Sequence, residues 1–131
     1  MRCRPNCTGH LLYVDDEEAL VFLVQFGLQR MGYKVTGFTD PTRAVREFQA
    51  RPRDFDAVVT DLSMPGMSGF DLAEKLLATR PGVPILVTSG YLRPDDQQKA
   101  ERIGVHGLTL KPDTIEELCS NVDRLLQKGA T

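Results

Sequence analysis

Three aspartates, placed where two apolar runs stop, carry the chemistry this sequence offers. Asp15 and Asp16 close Leu11-Leu12-Tyr13-Val14, and Asp61 closes Ala57-Val58-Val59-Thr60. If those runs are neighbouring strands, the three carboxylates converge at one end of a sheet. Like charges at that range repel and raise at least one pKa unless a cation lies between them. Oxygen ligands with room for water describe a magnesium site, which uses one or two carboxylates and completes its shell with water and a phosphate. A cleft of that kind is suited to receive a phosphoryl group.

Asp61 is the residue best placed to act. A β-branched run that breaks into Leu62-Ser63-Met64-Pro65-Gly66-Met67, with a helical pattern after it, reads as a buried strand feeding a βα loop. In an open parallel sheet, ligands gather beyond the carboxyl ends of the strands. The plain structural alternative is that Asp61 caps the next helix. Ser68 and Asp71, however, already have capping-box spacing of their own. Two further strand ends supply what a phosphoryl group needs. Thr88-Ser89-Gly90 sets a hydroxyl beside a residue with no side chain, and Leu110-Lys111-Pro112 sets an ammonium at the rim. Alone, a Thr-Ser pair usually bonds its own loop and a lysine after a strand is usually solvated; beside three aspartates both acquire a function.

These residues need a scaffold that gathers four strand ends, and the hydrophobic pattern provides it. Strand-like runs at 11–14, 33–38, 56–60, 84–88 and 107–110 alternate with helical patterns at 17–31, 41–50, 69–80, 94–103 and 114–128. Each connection is long enough for a right-handed crossover, so the sheet is parallel and helices cover both faces. Gly32 and Gly104 stand where a left-handed residue ends a helix, and Asp40-Pro41 places a cap before a proline at the first helical position. Asp113 and Glu116 have capping-box spacing. The expectation is one α/β domain over 9–131, behind a loose leader at 1–8.

Composition removes several function classes. A net charge of -2 leaves no basic footprint for nucleic acid. No apolar run approaches the ~20 residues that cross a bilayer, and Met1-Arg2-Cys3-Arg4-Pro5 opens no apolar signal segment, so the expected location is the cytoplasm. Three cysteines force no disulfide framework; Cys3 and Cys7 read as reduced thiols in the leader, and Cys119 as a filler on the apolar stripe of the last helix.

Two helices stand out. In the first, Leu20, Leu23, Val24, Gly27, Leu28 and Met31 suffice to face the sheet, leaving Val21, Phe22 and Phe26 over. Either the stripe is wider and both rings are partly buried, or they form a docking patch for a partner helix bundle or a second copy in a weak homodimer. The fourth helix offers only Ala100 and Ile103 as anchors, which predicts weak docking and mobility.

Val14-Asp15-Asp16-Glu17-Glu18, Thr60-Asp61 through Gly69, Pro84 through Tyr91, and Lys111-Pro112 together resemble the motifs of response-regulator receiver domains of two-component signalling, over residues 9–128. The resemblance implies a flavodoxin-like five-stranded sheet of order 2-1-3-4-5. It implies that Asp61 accepts a phosphoryl group from a histidine kinase or histidine phosphotransfer domain, with Mg2+ held by Asp16, Asp61, the Ser63 backbone carbonyl and, mainly through water, Asp15. Lys111 would pair with the phosphoryl oxygens, Ser89 would turn inward to bond one of them, and the Lys111-Pro112 peptide would be cis. The domain would assist its own phosphorylation without turning over an external substrate. Leu108 stands where the family often has an aromatic ring, Asp113 where an apolar residue is common, and bulky Tyr91 is expected to shield the phosphoryl group from water. One alternative is a receiver-shaped interaction module that is never phosphorylated. A flavodoxin-type cofactor binder is disfavoured, because Asp15-Asp16-Glu17-Glu18 would repel a phosphate where that class cradles one.

Overall fold

The alternating direction of side chains along the strands divides the apolar residues between the two sides of one sheet. The structure, a computed structural model, describes residues 9–130, with side chains to 127; the leader expected at 1–8 lies outside the described residues. The elements run β1 (His10–Val14), α1 (Glu18–Arg30), β2 (Lys34–Phe38), α2 (Pro41–Ala50), a single 3-10 turn (Pro52–Asp54), β3 (Ala57–Asp61), α3 (Gly69–Thr79), β4 (Ile85–Ser89), α4 (Asp96–Ile103), β5 (Gly107–Leu110) and α5 (Ile115–Ala130). All strand pairs are parallel and the order is β2-β1-β3-β4-β5.

Because side chains alternate across a strand, Leu12, Val14, Val58, Ile85 and Val87 form one core with Phe48, Leu72 and Leu76 of α2 and α3. Leu11, Tyr13, Val59 and Leu86 form the other with Val24 and Leu28 of α1 and Leu118 and Val122 of α5. Every residue of β1, β3 and β4 is buried, as a strand covered on both faces requires. The register then aligns the strand ends. Val14 pairs with Thr60, Asp61 with Thr88, and Ser89 with Leu110, so Asp15, Asp61, Ser89 and Lys111 emerge within two rungs of each other.

Caps behave mostly as their residue types dictate. Gly32 and Gly104 take φ of 109° and 100° after α1 and α4, and the Asp40 carboxylate accepts from the Thr42 amide before α2. The start of α5 differs from the Asp113 and Glu116 pairing expected. Thr114 Oγ1 accepts from the Glu117 amide at 3.1 Å while the Glu117 carboxylate accepts from the Asp113 amide at 3.2 Å. The threonine hydroxyl wins the cap and shifts the frame by one residue. α4 begins at Asp96 rather than Pro94, because the Asp96 carboxylate accepts from the Arg93 amide and closes a turn over the intervening residues. None of the described peptide bonds is cis, Lys111-Pro112 included, so the cis bond implied by resemblance is not found. Trans is the lower-energy isomer of an X-Pro bond by roughly 0.5–1 kcal/mol.

The face of α1 also differs from expectation. Val21, Val24 and Leu28 are buried, whereas Leu23 is exposed. Val21 faces inward because Gly37 of β2 has no side chain and leaves the space that the valine fills. Cys119 fills the core as read, and the reading of Cys3 and Cys7 lies outside the described residues. No described helix is long and apolar enough to cross a membrane.

α4 is eight residues long and buries only Asp96 and Ala100, with Ile103 half-buried. Little apolar area holds it to the sheet, so its amides should exchange with solvent deuterium faster than those of α2 and α3. Slower exchange in α4 than in either would contradict this account of its packing.

Candidate functional site

β1 ends at Val14, and the next residue turns its carboxylate inward. Asp15 is fully buried, and donors hold both of its oxygens. Oδ1 accepts from the Glu17 amide at 3.0 Å, while Oδ2 accepts from Lys111 Nζ at 3.0 Å and from the Tyr13 hydroxyl at 3.4 Å. Lys111 Nζ also lies 3.5 Å from Asp61 Oδ1, so one ammonium serves two buried carboxylates contributed by different strands. Asp16 points outward and is exposed. One oxygen from each of Asp15, Asp16 and Asp61 lies within 4.8 Å of the others.

The end of β3 is held by backbone. The Leu62 amide donates to the Thr88 carbonyl and the Gly69 amide to the Leu62 carbonyl, each at 2.8 Å, which closes the loop between β3 and α3 upon itself. Gly69 is required there because any Cβ would collide with the Asp61 carbonyl oxygen. Ser68 and Asp71 form the reciprocal capping box that their spacing predicted, so α3 makes no claim on Asp61. Across the sheet, Ser89 lies at the cleft but bonds its own loop. Its hydroxyl donates to the Tyr91 carbonyl at 2.6 Å and accepts from the Tyr91 amide at 3.2 Å. Thr88 reaches back instead to the Thr60 carbonyl.

Over these strand ends lies a cleft of about 520 Å3, lined by Asp61, Ser63, Met64, Ser89, Tyr91 and Lys111 among others. All the site residues read from the sequence are therefore at one end of the sheet. Three more were not read. Arg93 and Lys99 also line the cleft and add positive charge to its far wall. Tyr13 was overlooked, although a polar-tipped ring two residues before Asp15 in a strand must share its face.

Electrostatics follow from burial and from the count of charges. Burial raises the Asp61 pKa first, the Asp15 carboxylate raises it further, and Lys111 offsets only part of this. For Lys111, burial disfavours the ammonium, yet the hydrogen bond to Asp15 and the charges of Asp15 and Asp61 outweigh that and raise its pKa. Tyr13 is pushed well above the ordinary phenol value by burial and then by Asp15, so it stays a donor. One ammonium against three carboxylates leaves a deficit of positive charge among hard oxygen ligands, one of them open to solvent. That donor set fits a divalent cation such as Mg2+.

A family profile described as the response regulator receiver domain matches residues 11–123. The sensory transduction protein RegX3 of Mycobacterium tuberculosis is 32% identical over 119 residues, which is 91% of this chain and 51% of that protein. The chain thus spans about half the length of this curated relative. The two-component response regulator ARR10 of Arabidopsis thaliana is 33% identical over 91% of this chain and 21% of its own length. Among solved structures, the Vibrio cholerae chemotaxis protein CheY4 superposes with a TM-score of 0.83 at 28% identity, covering 90% of this chain and 98% of that one.

Since the folded-state pKa of Asp61 lies above its ordinary value, ionising it costs folding free energy. The cost is absent below the ordinary carboxylate pKa and is complete once pH exceeds the folded value. Asp61→Asn should therefore raise the melting temperature by a few degrees at pH 7 without divalent cations, about 1 kcal/mol being worth roughly 3–5 °C at this size. The gap should close toward pH 4. An Asn variant no more stable than wild type at pH 7 would contradict the assignment.

Proposed function

Because this chain belongs to the response regulator receiver domain family, we propose that Asp61 is the residue that carries the phosphoryl group in its two-component signalling role. A carboxylate oxygen of Asp61 attacks phosphorus as the P–N bond to a donor histidine breaks, and the imidazole leaves with the electron pair of that bond. The observation that carries this reading is the buried Asp61 carboxylate, 3.5 Å from Lys111 Nζ, facing an open cleft. Lys111 is positioned to pair with phosphoryl oxygens when they arrive, because it already bridges the two carboxylates. Ser89 would exchange its bond to the Tyr91 carbonyl for one to the phosphoryl group. Mg2+, held by Asp16, Asp61 and the Ser63 carbonyl with Asp15 mainly through water, would neutralise charge on the transferring oxygens.

The phosphodonor in this proposal is a histidine kinase or histidine phosphotransfer domain in the cytoplasm. The domain assists its own phosphorylation and dephosphorylation and turns over no external substrate. A docking module that is never phosphorylated is not favoured, since it would have no use for a buried Asp61 carboxylate whose ionisation costs folding free energy.

Incubation with acetyl phosphate and magnesium should add one phosphoryl group to the intact mass of the wild type and none to Asp61→Asn. Lys111→Ala should label at least tenfold more slowly. No gain by wild type, with magnesium binding confirmed separately, would overturn the phosphoacceptor assignment. Tyr91, 72% exposed at the cleft, lies where it can cover an incoming group from water. Tyr91→Ala should lose its phosphoryl group several-fold faster, and an equal or slower rate would remove the shielding role.

A further inference from the structure

Among the described residues, the outer face of α1 has no partner within the fold. Glu18, Phe22, Phe26 and Arg30 recur every fourth residue and form one ridge along the helix, and all four are exposed. Phe22 is 71% exposed and Phe26 53%; their rings lie 6.5 Å apart, only 12° from parallel, and the Arg30 guanidinium sits 5.7 Å from the Phe26 centroid. Leu23, 54% exposed, widens the apolar strip. The opposite face already satisfies the core through Val21, Val24 and Leu28. Among the described residues neither Glu18 nor Arg30 has a salt-bridge partner.

The order acid, ring, ring, base is complementary to itself when reversed. We infer that α1 is a self-pairing surface, on which a second copy of this chain docks antiparallel about a two-fold axis. That arrangement sets Glu18 against Arg30 of the second copy and Phe22 against its Phe26, and the symmetry repeats both contacts. Parallel pairing would oppose acid to acid and base to base, so charge selects the antiparallel form. One helix face is a small interface, so the dimer is expected to be weak and to form only at high protein concentration. This inference does not depend on phosphoryl transfer at Asp61.

Sedimentation velocity of the full chain from about 10 µM to 1 mM tests it, with circular dichroism to confirm that each variant is folded. Wild type should shift from monomer to dimer across that range. Glu18→Arg alone and Arg30→Glu alone should each stay monomeric, as should the double variant Phe22→Glu/Phe26→Glu. An equimolar mixture of the two single charge variants should dimerise again, because Arg meets Glu at both ends of the ridge, and so should the doubly swapped chain. Wild type that remains monomeric would overturn the inference and leave the ridge to another protein. A dimer insensitive to the single charge reversals, or a mixture that fails to pair, would overturn it equally.

Discussion

Lys111 Nζ between the carboxylates of Asp15 and Asp61 is the interaction on which the rest of the site depends. Two buried negative charges contributed by adjacent strands would repel without it, and removing one partner from such an arrangement leaves uncompensated buried charge. For a lysine after β5 to reach the ends of β1 and β3, the sheet must run β1-β3-β4-β5 with its strand ends in step, and the observed register does this. The fold and the electrostatics are thus one constraint. The two cores on either side of the sheet set the register, and the register sets the distances among the charges. Asp15 contributes most to rigidity, since both of its oxygens are occupied by protein donors. Asp16 and Asp61 are left to meet what comes from outside.

Most of this architecture was legible because strand and helix alternate with clear periodicity and because turn residues stand where elements end. The strand bounds read from sequence agree with the structure to within a residue or two; of the residues singled out, Asp61, Ser89 and Lys111 line one cleft, with Asp15 and Asp16 beside Asp61. The misreadings have several causes, and only one of them is a neighbour distant in sequence. Val21 is inward because of Gly37, one element away. The cap of α5 belongs to Thr114, where two adjacent candidates competed for the same amides. Tyr13 was hidden inside an apolar run, its hydroxyl significant only once Asp15 is known to be buried above it. Arg93 and Lys99 reach the cleft through the loop into α4 and along α4, where local pattern carries little information. The cis proline was an expectation from family resemblance alone, and the chain does not adopt it.

The Ser89 hydroxyl illustrates how a reading can be right about place and early about state. It stands at the cleft, but it donates to the Tyr91 carbonyl and so uses its proton within its own loop. Under the proposed function, a phosphoryl oxygen would compete with the Tyr91 carbonyl for that proton. The loop it closes leads directly into α4, the helix with least apolar anchorage.

The glycine at position 69 has a mechanical consequence. Because its backbone presses directly on the Asp61 carbonyl and its amide ties back to Leu62, the β3 side of the cleft behaves as a rigid jaw. The β4 side, closed by the Ser89 hydroxyl and the Asp96 carboxylate and continued by a lightly packed helix, is the compliant jaw. A group seated between them finds one wall that cannot yield, so displacement is directed to the other. Under the proposed function, that asymmetry would direct displacement away from Asp61 and out along α4.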